Sequence, residues 1–158
     1  MDESHKKIVE QIFNSVSFTL SEKGKVPIMF FLIVNKTNQE KPELLPIVSV
    51  ESISTLEYAK IAINTADEMN ADAMIMIAEQ AVVSKKKDDP SMNAILSGKI
   101  RPSEHPDKKD YITVIYMTSK GESHALISEI HEDLKGTRYT IDHKWINSSV
   151  NNLMVPWR

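Results

Sequence analysis

Three stretches, YITVIYMT (Tyr111–Thr118), SHALISEIHED (Ser123–Asp133) and RYTIDHKWIN (Arg138–Asn147), decide the fold of this chain. All three are rich in β-branched and aromatic residues. The pairs Lys120-Gly121 and Lys135-Gly136 between them are hairpin-type turn signals, so the stretches predict a three-stranded meander. With a two-residue turn at each pair, Ile115, Met117, Leu126, Ile130, Ile141 and Trp145 share one face as core. Glu129 then lies opposite Asp142 on the other face, with His131 and Lys144 diagonally near. Two carboxylates and an imidazole on one face are ligand types for a divalent metal. The solvated face of a meander explains the same residues, and a slip of one position would exchange the two faces.

Upstream of the meander, Ile8, Val9, Ile12, Phe13, Val16 and Leu20 recur at helical spacing, which predicts a helix over 4–22 ending near Gly24. Lys25–Asn35 (KVPIMFFLIVN) is apolar on both faces and reads as a buried strand; Pro46–Glu51 reads as its short partner. Ser54-Thr-Leu-Glu57 matches a capping box opening a second helix, for which Asn70 is the stop. Ala73–Val83 reads as another interior strand. A long polar connection fills 84–110; within it Asp89-Pro90 can open a short helix that Gly98 ends. The apolar tail Leu153–Trp157 is expected to dock on the core. The order α-β-β-α-β-(short α)-β-β-β predicts a single α+β domain over 1–158, with a mixed, mainly antiparallel sheet and two main helices.

Composition excludes more than it selects. The chain has 158 residues, a net charge of −3 and no cysteine, so disulfides and thiolate sites are out. Its bases form no stripe, which argues against nucleic acid. The longest apolar run, Val26–Val34, is about half of the roughly 20 residues a membrane span needs. The N-terminus is polar and lacks a signal-peptide pattern. These features predict a soluble, cytoplasmic protein. No GxSxG elbow, phosphate loop, dinucleotide fingerprint or HExxH is present.

The connection closes on Arg101-Pro-Ser-Glu-His-Pro-Asp-Lys-Lys109, where two prolines, two acids, a histidine and three bases fall within nine residues. Polar loops held on a rigid sheet are where binding groups gather. Arg101, Lys108 and Lys109 would supply cationic donors, Ser103 a hydroxyl, Glu104 and Asp107 acceptors, and Pro102 and Pro106 rigidity. His105 reads as a solvent-exposed loop histidine and His5 as part of a fraying first turn. Glu79, at the end of the apolar run Ala73–Ala78, is either a paired structural carboxylate or a site residue.

Ala71–Gln80, followed by Arg101-Pro-Ser-Glu-His-Pro-Asp-Lys-Lys-Asp-Tyr-Ile-Thr-Val114, resembles an uncharacterised family of bacterial and phage proteins. In that family an apolar strand ends Ser-Glu-Ala-Trp and is followed by Pro-Ser-Glu-x-Pro-Asp-Arg-x-Glu. Glu79, Ser103, Glu104 and Asp107 match that pattern. Ala78 stands in place of its serine, Ala81 in place of its tryptophan, and Lys108-Lys109-Asp110 in place of its Arg-x-Glu. The resemblance implies a shared loop and carries no established activity.

Together these readings predict a small non-enzymatic binding or interaction protein of bacterial or phage origin that needs no cofactor. Glu79, Arg101, Ser103, Glu104, His105, Asp107 and Lys108 would form its recognition surface for a protein partner or a small anionic ligand. The alternative is a metal-assisted hydrolase using Glu129, His131 and Asp142. A third reading is a homo-oligomer that pairs through the Pro46–Glu51 edge.

Overall fold

The computed structural model describes residues 1–35, 41–49, 53–83, 85 and 88–147. Helix α1 (Glu3–Lys23) is opened by Asp2, whose carboxylate accepts the Ser4 N–H at 2.8 Å, and is closed by Gly24 at φ +75°. Strands β1 (Met29–Val34) and β2 (Glu43–Ile47) follow, then α2 (Thr55–Glu68) and β3 (Ala73–Val82). A 3-10 turn at Pro90–Met92 runs into a short helix α3 (Asn93–Leu96), and a second turn spans Pro102–Glu104. Strands β4 (Lys109–Thr118), β5 (Ser123–Glu132), β6 (Arg138–Thr140) and β7 (Lys144–Asn147) complete the chain. The α+β class is the one the sequence predicts, and the element order follows it except that the last expected strand is divided into β6 and β7.

All seven strands join one sheet in the order β2-β1-β3-β4-β5-β6, with β7 also paired to β5. Every pairing recorded is antiparallel. On one face α1 packs Val9, Phe13, Val16 and Leu20 against Ile75, Ile112, Val114 and Leu126. On the other, α2 packs Ala59, Ala62 and Ala66 against Phe30, Leu32, Met74 and Met76. The apolar character of β1 and β3 on both faces follows from this two-sided cover. Buried aliphatic side chains contribute about 1.5–3 kcal/mol each, so these two layers are the main stabilising term.

The serine half of the expected capping box and the expected stop of α2 are in place. Ser54 Oγ accepts the Glu57 N–H at 3.1 Å, and Asn70 sits at φ +51° just past the helix. Asp89 and Gly98 likewise bound the short helical segment: Asp89 accepts the Ser91 N–H at 2.9 Å, and Gly98 has φ +77°. Strand β2 begins and ends earlier than Pro46–Glu51, because Glu43, Leu44 and Leu45 pair with Val34, Ile33 and Leu32. Pro46 is tolerated because β2 is the sheet's edge. The expected docking of Leu153–Trp157 lies outside the described residues, as does Glu51.

The meander register differs from the two-residue-turn expectation. The first connection is a three-residue loop, Ser119–Gly121, with Gly121 at φ +89° and Thr118 N–H bonded to Glu122 O at 3.0 Å. The second is built alike: Gly136 has φ +81°, and Asp133 N–H bonds Thr137 O at 3.0 Å. Each extra residue slips the register by one and turns β5 over relative to β4. Ile115 therefore pairs with Ala125 on the α2 face, whereas Leu126 pairs with Val114 on the α1 face. The third stretch is also not one strand. Ile141–His143 interrupts it, and Trp145 regains its place opposite Leu126 only beyond that break. No helix among the described residues is long and apolar enough to cross a membrane.

Candidate functional site

Strand β3 outruns its neighbour β1. The β1 pairing stops at Met29↔Ile77, whereas the β4 pairing continues to Val82↔Lys109. Residues 25–28, just before β1, form no strand pairing, and the Val26 N–H bonds the Glu79 side chain at 2.8 Å. The last five residues of this region, Glu79–Val83, all line a cleft of about 710 Å³. Consecutive strand residues point to opposite faces, so five in a row line one cleft only if it runs along the strand's edge. The opposite wall is Met92, Ile95, Arg101, Pro102 and Ser103, from α3 and the turns around it.

This wall is stapled from within by His105, which is only 3% exposed. Its Nδ1 accepts the Asp107 N–H at 3.0 Å, which leaves Nε2 to donate to Ser91 O at 3.1 Å. The neutral Nε2–H tautomer satisfies both contacts. The expected exposed loop histidine is thus a buried brace, because Pro102 and Pro106 turn the backbone around it. His5 is corrected in the same way: it is 4% exposed, and Nδ1 meets the Tyr116 hydroxyl at 2.8 Å.

The remaining loop charges are paired among themselves. Arg101 Nε donates to Glu104 Oε1 at 3.2 Å, Lys85 meets Asp107 at 3.2 Å, and Lys108 meets Asp110 at 3.2 Å. Exposed pairs of this kind contribute about 0–1 kcal/mol, so a ligand can replace them at small cost. Asp89 is held below the usual carboxylate range, first by the Ser91 hydroxyl and then by the Ser91 N–H.

Glu79 takes the structural role. Arg138 Nη1 and Nη2 donate to its two oxygens at 3.1 and 3.0 Å, and the Val26 N–H holds one of them as well. Of the expected surface, the structure places Glu79, Arg101 and Ser103 on the cleft; Glu104, His105, Asp107 and Lys108 do not line it. Sequence reading missed Gln80, Val82, Met92, Ile95 and Arg138. The Met92/Ile95 spacing was a usable signal, one apolar side of a single helical turn. Arg138 lies 59 residues from its partner and carries no local signal.

The second expected cluster changes with the register. Glu129 pairs with Tyr111 of β4 and its carboxylate meets Lys109 at 3.6 Å, so it does not oppose Asp142 across a ladder. His131 stacks on Tyr139 with ring centroids 5.8 Å apart. Asp142 lies in the break after β6, where its carbonyl accepts the Ser128 hydroxyl. The three side chains border one shallow groove of about 270 Å³. Among the described residues no group of three His, Cys, Asp or Glu side chains has a geometry that could hold a metal ion.

Comparison with protein-family models, with curated proteins and with solved structures returned no match.

Proposed function

We propose that the chain is a small non-enzymatic binding protein of bacterial or phage origin, and that its cleft takes an extended segment of a partner protein. The observation that carries this reading is the edge of β3 beyond Ile77, which on that side pairs with no strand among the described residues and faces a wall of mixed apolar and polar side chains. Extended peptides add to such edges through backbone hydrogen bonds and take specificity from alternate side-chain pockets. Val82, Met92 and Ile95 offer the apolar contacts, and Arg101 and Ser103 offer exposed donors at the rim. Among the described residues the buried Gln80 Nε2 has no hydrogen-bond partner, a donor suited to a peptide carbonyl. A small anionic ligand fits less well, because Arg101 is the one cation among the described residues lining the cleft, whereas Lys85 and Lys108 do not line it.

Selection from a random peptide library on the immobilised protein tests the reading. Enriched sequences that bind wild type and lose at least about tenfold in affinity with Ile95→Glu or Arg101→Glu support it; two or three peptide contacts contribute that much. Failure to enrich, or peptides indifferent to both substitutions, would sink it.

A further inference from the structure

A second groove lies on the α1 face of the sheet, at the other end from the β6 and β7 strands. Helix α1 packs over β4, β5 and β6. Beside it, Met29 and Phe31 of β1 and Leu44 of β2 floor an open groove of about 790 Å³ whose long wall is α1 from Ser4 to Thr19. Leu44 is 36% exposed, and Met29 and Phe31 are only half-buried, unlike their neighbours Phe30, Leu32 and Ile33 at 0%.

The dimensions fit one helix. From β4 to β1 is two strand spacings, about 9.6 Å, and packed helices lie about 8–10 Å apart. The α1 wall from Ser4 to Thr19 runs roughly 22 Å, about four helical turns. On the other face α2 packs on β1, so the sheet's two helices leave this one half-face without a helix among the described residues.

Charge selects the occupant. Among the described residues no acidic side chain lines the groove, although the chain as a whole is net −3. Lys7 and Lys41, its cations among the described residues, are exposed and make no ion pair with another described residue. From these observations we infer that the groove is a second interaction site, which seats one amphipathic helix of a protein partner, apolar toward Phe31 and Leu44 and acidic along its flanks toward Lys7 and Lys41. Helix-in-groove recognition of this kind places anchors at i, i+3, i+4 and i+7. The chain's own residues 148–158 suit the charge poorly, since they contain no acid, one proline and a terminal arginine.

The test uses the full isotope-labelled chain and two synthetic helical peptides. Both carry leucines at i, i+3, i+4 and i+7; one has glutamate flanks and the other lysine flanks. The glutamate peptide is expected to shift the amides of Met29, Phe31, Leu44 and the Ser4–Thr19 side of α1, and to bind about tenfold tighter than the lysine peptide. The double variant Lys7→Glu/Lys41→Glu should reverse that preference while its melting temperature stays at the wild-type value. If that variant fails to fold, the two-peptide comparison on wild type still decides. Equal binding of both peptides, or no groove shift at millimolar peptide, overturns the inference. A dilution-sensitive dimer that protects these same amides would assign the groove to a second copy. A need to delete 148–158 before the peptide binds would assign it to the tail.

Discussion

Arg138 grips Glu79 with both terminal nitrogens, at 3.1 and 3.0 Å, and donates to Gly24 O at 2.7 Å from the same Nη1. One side chain of β6 thereby ties the far end of β3 to the cap that closes α1. Both partners are about three-quarters buried, at 23% and 24% exposure. A two-pronged guanidinium–carboxylate contact fixes geometry as well as energy, because the fork matches the carboxylate plane. The pair anchors β3 at Glu79, two residues beyond the last β1 pairing, at the start of the stretch that lines the cleft.

Glu79→Ala should therefore destabilise the fold by about 2 kcal/mol, since it leaves the Val26 N–H and a charged Arg138 without their acceptor. Arg138→Lys should cost about 1 kcal/mol, because an ammonium cannot make both contacts. Urea denaturation of the single and double variants gives the coupling directly. A coupling below about 0.5 kcal/mol would reduce the pair to a surface contact.

Replacing His105 by alanine removes the brace between Ser91 and Asp107. The loss should be local: amides of 88–108 should exchange much faster, with a global cost of about 1–2 kcal/mol from the lost hydrogen bonds and the cavity. Hydrogen exchange followed by mass spectrometry separates this from general destabilisation. Uniform acceleration across β3–β5 would show instead that His105 supports the whole sheet.

What the sequence made legible is what depends on near neighbours. Ser54 and Asp89 act within three residues, and Gly24, Asn70 and Gly98 stop their helices through their own φ. The apolar runs at β1 and β3 announced burial on both faces. Register was not legible, because a Lys-Gly pair fits a two-residue turn and a three-residue loop alike. A physical hint was present all the same. A two-residue type I′ turn needs positive φ at both central residues, and Lys120 and Lys135 pay for that where glycine does not. The site suffered most, since Glu79–Arg138 and His5–Tyr116 join residues 59 and 111 positions apart.

The loop geometry can be checked by substitution. Gly136→Ala should destabilise by about 1–2 kcal/mol, the strain of a Cβ in the left-handed region. The nearest atom to that Cβ is Glu132 Oε1 at 3.6 Å, an ordinary contact, so the cost is conformational rather than steric. Lys135→Gly should not stabilise, because Lys135 holds no positive φ. A gain of about 0.5 kcal/mol or more in Lys135→Gly would favour the two-residue turn after all.

Tyr116 gives the chain a defined alkaline limit. Burial pushes its phenol up to about 12, with smaller contributions from Glu122, Asp2 and Asp72, against about 10 in the unfolded chain. The folded state thus favours the neutral phenol. That contribution is fully present below pH 10 and is lost as pH rises from about 10 to about 12. Stability of the wild type should fall across that window, in addition to the milder effect of Tyr58, whose phenol burial also raises. Tyr116→Phe should be less stable than wild type at neutral pH by about 1 kcal/mol, because His5 Nδ1 loses its partner. The same variant should lose less stability between pH 10 and pH 12, so the two urea midpoints converge as pH rises. Parallel decline of the two proteins over that range would remove Tyr116 as the titrating group and leave its hydroxyl a purely structural partner of His5.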